Sequence, residues 1–85
     1  MVRKASPLSP LHREFGDRVR ARRLALGLSQ EALAHESGLQ RAYIGQVEAG
    51  QRNVALTNLA RLAAALDADL GDLLNGLERL SGESR

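Results

Sequence analysis

The sequence predicts an all-α domain of five helices with a helix-turn-helix at its centre. Three observations carry that prediction. Leu and Ala dominate the apolar residues of the 85-residue chain, and Phe15 and Tyr43 are its only aromatics; this composition suits helices packed on helices and gives a sheet little to build with. The segment Ser29–Gly50, SQEALAHESGLQRAYIGQVEAG, sets two short helix-forming runs on either side of a glycine. Behind it, apolar residues recur at helical spacing through two further stretches. A chain of this length supplies one compact core rather than two.

The elements follow in order. Positions 1–8 are polar or Pro-containing and read as a flexible basic arm ahead of a domain over 9–80. Ser9 is a fitting N-cap and Pro10 a fitting first helical residue. Helix one then runs to about Leu26, burying Phe15, Val19 and Leu11, and Gly27 ends it. Ser29 caps a second helix over Gln30–Glu36, which turns Leu33 and Ala34 to one side. Gly38 occupies the turn, where a positive φ costs glycine little. Ala34 is small enough for the two helices to cross closely, and Leu33, Leu39, Ile44 and Val47 plug the space between them.

The third helix, Arg41–Ala49, points Ile44 and Val47 inward and leaves Arg41, Ala42, Gly45 and Gln46 outward, completing a helix-turn-helix over 29–49. Gly50–Asn53 forms a loop and Val54 leads into a fourth helix. There Leu56, Leu59, Ala63 and Leu66 make the expected core stripe. Asp67–Asp69 breaks that helix, and Asp69 caps a fifth over 69–80 carrying Leu70, Leu73, Leu74, Leu77 and Leu80. Positions 81–85 read as a tail.

The second helix of such a unit is suited to the DNA major groove, although a plain helical hairpin carries the same pattern. The net charge of +2 says little by itself. Its distribution says more: residues 1–52 hold nine Lys/Arg against five Asp/Glu, and residues 53–85 hold three against five. A basic front half suits a domain that presents one end to phosphate, while ordinary solvated faces give the same count. The chain has no cysteine, which removes disulfides and thiolate metal sites; no metal and no cofactor are expected. His12 and His35 stand apart without a spaced carboxylate set, and no metalloprotease, P-loop or nucleophile-elbow pattern occurs, so an enzyme is not expected. No apolar run reaches the ~18 residues of a membrane span, and the basic start lacks the apolar segment of a secretory signal. A cytoplasmic, nucleoid-associated protein with no membrane partner is the expectation.

From Phe15 to Leu74 the chain resembles the XRE, or lambda-repressor-like, family of DNA-binding domains. FGDRVRARR precedes the motif, GLSQEALA opens it, YIGQVEAGQRN closes it, and LTNLARLAAALDADLGDLL resembles the family's fourth and fifth helices. Within the family, GLQRAYIGQVEAGQRNVALTNLARLAAAL is most similar to small single-domain regulators, including restriction–modification controller proteins.

The resemblance implies a compact lambda-repressor-like domain and divides its contacts into positioning and reading. Gln30, Arg52 and Asn53 match positions that hold backbone phosphates, and Tyr43 belongs at the groove wall. Arg18 and Arg22, with Arg3 and Lys4 on the arm, are weaker candidates for charge contacts and serve equally as solvated cations. Gln40, Arg41, Ala42 and Gln46 occupy the base-reading positions. The fork of Arg41 matches guanine O6 and N7, the amide of Gln46 matches adenine, and Ala42 suits a thymine methyl. Gly45 replaces the bulkier polar residue common in the family, and Ala55 stands where relatives carry a capping Ser. Arg23 and Glu48 match an arginine–glutamate pair that sets the angle of the recognition helix; without the resemblance they are two surface charges of little worth.

The leucines of the fifth helix exceed what one side of a small domain needs. Leu70, Leu73, Leu74 and Leu77 therefore suit either a cap on the core or a twofold interface. These expectations converge on a dimeric regulator of double-stranded DNA, a homodimer acting on its own promoter, with an RNA polymerase contact if it activates. The rival expectation is an antitoxin-like DNA-binding module whose main partner is another protein, using the acidic, leucine-rich C-terminal part.

Overall fold

A computed structural model describes residues 6–81. Five α-helices follow one another: α1 (Pro10–Ala25), α2 (Gln30–Ser37), α3 (Arg41–Glu48), α4 (Leu56–Ala65) and α5 (Leu70–Leu74), with a closing 3-10 turn at Leu77–Leu80. No strand occurs among the described residues. The local signals in the sequence explain most of the boundaries. Ser9 Oγ accepts from the His12 amide and Pro10 takes the first helical position. Ser29 Oγ accepts from the Ala32 amide at 2.9 Å. Gly27 and Gly38 adopt φ of +73° and +74° after α1 and α2, the left-handed geometry that lets a chain leave a helix sharply. Ala55 caps α4 with no side-chain hydrogen bond, so the fourth helix starts on backbone geometry alone.

α1 packs against α3, α5 and the 3-10 turn, while α2 packs against α3 and α4. The core they enclose holds Phe15, Val19, Leu33, Ala34, Ile44, Val47, Leu62, Ala63, Leu66, Leu73 and Leu77. Leu11 and Leu39 lie against its edge, half-buried.

Three expectations need correction. Leu56 is 72% exposed, and Leu62, fully buried, takes the place expected of it in the core. At about 100° per residue, Leu59, Leu62, Ala63 and Leu66 share one stripe, whereas Leu56 lies at its margin in the first turn. The fifth helix is not continuous: Gly76 at φ +79° interrupts it after Leu74. That break turns the chain back onto α1, and Leu73 and Leu77 become core residues, 2% and 5% exposed. They are therefore unavailable to a partner subunit; of the four leucines assigned to an interface, Leu70 and Leu74 keep partial exposure. Finally, Pro7 and Leu8 belong to the folded body rather than to a free arm, since the Leu8 amide donates to the Gly50 carbonyl at 2.8 Å. Arg3 and Lys4 lie outside the described residues.

Gly16 governs how closely α1 approaches α3. A Cβ there would stand 2.5 Å from the Val47 carbonyl oxygen and 2.6 Å from that of Glu48, atoms fixed in a helix backbone. In an open helix, Gly→Ala adds about 1 kcal/mol of stability. Here the sign reverses. Gly16→Ala should lower unfolding free energy by about 1–3 kcal/mol or more through overpacking, read from the urea midpoint; an unchanged or raised midpoint would contradict this crossing.

Candidate nucleic-acid interface

The outer face of α3 carries the residues expected to read bases. Gln40, Arg41, Ala42 and Gln46 are all exposed, while Ile44 and Val47 on the opposite face are buried at 0% and 1%. Gln40 occupies the N-cap with no side-chain cap bond, so its amide remains outward. An α-helix with its side chains is about 10–12 Å across, comparable to the width of a B-form major groove.

The C-terminal end of α3 is held by a buried ion pair. Arg23 Nε donates to Glu48 Oε2 at 2.6 Å and Nη2 donates to Oε1 at 2.9 Å. Nη1 donates to the Leu28 carbonyl at 2.8 Å. Both side chains are more than nine-tenths buried. Hydrogen bonding to Glu48 is the main reason the guanidinium is held above its ordinary pKa; burial opposes it and the carboxylate's charge adds to it. Gln30 joins the same network, its Nε2 donating to Glu48 Oε1 at 3.1 Å. The Gln30 amide therefore lies against α3, and a Cβ at Gly45 would sit 3.9 Å from both its nitrogen and its oxygen. Gly45 thus leaves the flank of α3 open beside Gln30.

Beyond α3, the loop places Arg52 and Asn53 at the surface. The Arg52 guanidinium lies 4.8 Å from the Tyr43 ring centroid, a stacking that restrains a long cation. The Tyr43 hydroxyl accepts from Asn58 Nδ2 at 3.1 Å, which leaves its proton free to donate. The Asn53 Oδ1 meets His12 Nε2 at 3.2 Å. The structure thus stacks Arg52 on Tyr43 beside the first turn of α3, with Asn53 next to Arg52 in the loop, and places Gln30 at the C-terminal end of the helix against Glu48.

Arg18 and Arg22 do not join this face. Arg22 donates to the Leu66 and Asp67 carbonyls, each at 2.8 Å, and Arg18 to Glu14 and the Leu73 carbonyl. Both complete the carbonyl-rich ends of α4 and α5, where a cation is favourable; their assignment as phosphate contacts is corrected on that ground. Two residues were missed from the sequence. Asn58 and His12 act through side chains 15 and 41 positions away, and neither carries a local motif.

The HTH_3 model, described as helix-turn-helix, matches residues 19–73. Control protein C.SmaI of Serratia marcescens is 47% identical over 70 residues, covering 80% of this chain and 83% of its own length. The crystal structure of the restriction-modification controller protein C.AhdI from Aeromonas hydrophila is similar at 56% identity and a TM-score of 0.71, over 72% of this chain and 92% of that one. The P22 c2 repressor in complex with a synthetic operator is similar at 35% identity and a TM-score of 0.68, over 73% and 94% of the two chains.

Removing one member of a buried pair strands the other charge. Glu48→Ala should cost about 3–5 kcal/mol, seen as a lower denaturant midpoint, and should release Gln30. An unaltered midpoint would show that the pair does not hold α3.

Proposed function

The chain belongs to the XRE-like helix-turn-helix family, and on that premise we propose a sequence-specific transcriptional regulator of the restriction–modification controller kind, acting on double-stranded DNA. One observation carries the reading. A row of exposed polar and small side chains, Gln40, Arg41, Ala42 and Gln46, lies along a helix whose far end is locked by a buried ion pair. Arg41 reads guanine through its two-pronged fork, Gln46 reads adenine, and Ala42 contacts a thymine methyl. Gln30, Tyr43, Arg52 and Asn53 hold the phosphates on either side and set the register.

The acting species is a homodimer on a pseudo-palindromic operator. Leu70 and Leu74, partly exposed on α5, contribute its apolar contact. With dimerisation coupled to operator occupancy, the protein's own concentration controls its promoter. Where it activates, the bound dimer also contacts RNA polymerase.

Selection of bound duplexes from a random library tests the function directly. It should enrich two inverted half-sites about 10–10.5 base pairs apart centre to centre, or a multiple of that spacing; absence of any enriched sequence would overturn specific recognition. Sedimentation of the Leu70→Asp/Leu74→Asp variant should show a monomer where the unmodified chain is dimeric, with operator affinity reduced. An unmodified chain that sediments as a monomer in micromolar solution would refute the dimer.

Arg41 and Arg52 should separate by role. Arg41→Ala should lose about 1–3 kcal/mol on the selected operator and little on random DNA, relaxing one base pair per half-site. Arg52→Ala should weaken both DNAs alike and flatten the salt dependence by about one unit of slope per subunit. Equal losses on both DNAs for the two variants would remove the distinction.

A further inference from the structure

The loop between α3 and α4 carries Arg52 and Asn53 without regular secondary structure of its own, yet the start of α1 ties it at two points. At the first, Gly50 accepts from the Leu8 amide. Gly50 has φ +77°, and a Cβ there would lie 3.0 Å from Pro7 Cβ and 3.1 Å from the Arg13 backbone, so a side chain would be both crowded and strained. The second tie is made of side chains. His12 Nδ1 lies 2.7 Å from Ser9 Oγ, and His12 Nε2 lies 3.2 Å from Asn53 Oδ1.

The direction of this second tie follows from its last member. Asn53 Oδ1 can only accept, so His12 Nε2 carries the proton and donates it. In that neutral tautomer Nδ1 is bare and accepts from the Ser9 hydroxyl, whose oxygen also accepts from the His12 backbone amide at 3.3 Å. The oxygen of the Asn53 amide is then occupied, and the nitrogen, with two N–H donors, is the end left for a ligand. An unrestrained surface asparagine presents either end. The oxygen end repels a phosphate.

We infer that His12 is a positioning residue that turns the donor end of the Asn53 amide toward a DNA phosphodiester, with the Ser9 hydroxyl bonded to the other ring nitrogen. This rests on the reading of Asn53 as a backbone contact. His12 itself does not touch DNA: it works by removing the amide orientation that would oppose binding. The N-cap of α1 and the phosphate loop thereby act as one unit, although 41 residues separate His12 from Asn53.

The test uses the full chain, a fluorescein-labelled duplex of random sequence, and anisotropy at fixed salt. Asn53→Ala should weaken binding about three- to tenfold, the range of one intermolecular hydrogen bond. His12→Ala should weaken it about two- to fivefold, and the double variant should bind no more weakly than Asn53→Ala alone. His12→Gln should bind within about twofold of the unmodified chain, because its amide nitrogen replaces Nε2 as donor. Melting temperatures accompany each variant, and His12→Leu replaces His12→Ala if alanine unsettles α1. The inference is overturned if the single losses multiply in the double variant, if removing the imidazole leaves affinity unchanged, or if His12→Gln binds as weakly as His12→Ala. Unchanged binding by Asn53→Ala beside weakened Arg52→Ala removes the Asn53 contact and the role of His12 with it. Unchanged binding by both would instead overturn the reading of the whole loop.

Discussion

The buried pair of Arg23 and Glu48 is the interaction on which the rest of the site depends. Its three guanidinium nitrogens reach the carboxylate of α3 and the Leu28 carbonyl, while Gln30 binds the same carboxylate from the start of α2. One cluster therefore joins the end of α1, the start of α2 and the end of α3. Apolar contact between Ile44, Val47 and the core is strong but tolerant of direction. A bidentate ion pair tolerates much less, because a small rotation leaves a buried charge without its partner. The core holds α3 in place, and the pair sets its angle.

Close packing reinforces that geometry from the same end. Gly16 lets α1 meet the last carbonyls of α3, and Gly50 lets the Pro7–Leu8 segment meet the turn that follows. At Gly16 the backbones approach too closely for a side chain, and at Gly50 a Cβ would be crowded and the φ is left-handed. The consequence is an asymmetry along α3. Its C-terminal end is anchored by α1, by Glu48 and by the N-terminal segment, whereas Gln40, Arg41 and Ala42 project freely from the other. A DNA-binding regulator needs this division, since side chains that read bases need a rigid platform and an unobstructed face.

Much of this was legible in the sequence because its signals are local. Ser9, Ser29, Gly27 and Gly38 mark helix ends by chemistry that acts within one turn, and all four do so in the structure. The outward residues of α3 follow from helical period alone. The C-terminal stretch reads as one helix over 69–80 when its leucine period is followed through Gly76, whose φ of +79° separates α5 from the closing turn and folds Leu77 inward. Leu73 and Leu77, part of what looked like surplus apolar surface, are core seen without its bend. Arg23 and Glu48 were found only through family resemblance, their spacing having no local meaning. His12 and Asn58 escaped because a side-chain contact across 41 or 15 residues leaves no periodic trace.

The distribution of cations follows the same distinction between composition and placement. The basic front half suggested a broad attraction to phosphate, yet Arg23 is neutralised by Glu48, Arg18 is paired with Glu14, and Arg22 is spent on the Leu66 and Asp67 carbonyls. Three of the arginines on α1 thus serve the fold. Arg41 and Arg52 remain exposed around the recognition helix, one at its free end and the other stacked on Tyr43. With a net charge of only +2, long-range attraction to a polyanion is modest. Affinity for DNA must then rest mainly on well-placed short-range contacts. The orientation of individual polar side chains then matters more than in a densely basic domain, and the structure restrains Gln30 against Glu48 and Asn53 against His12.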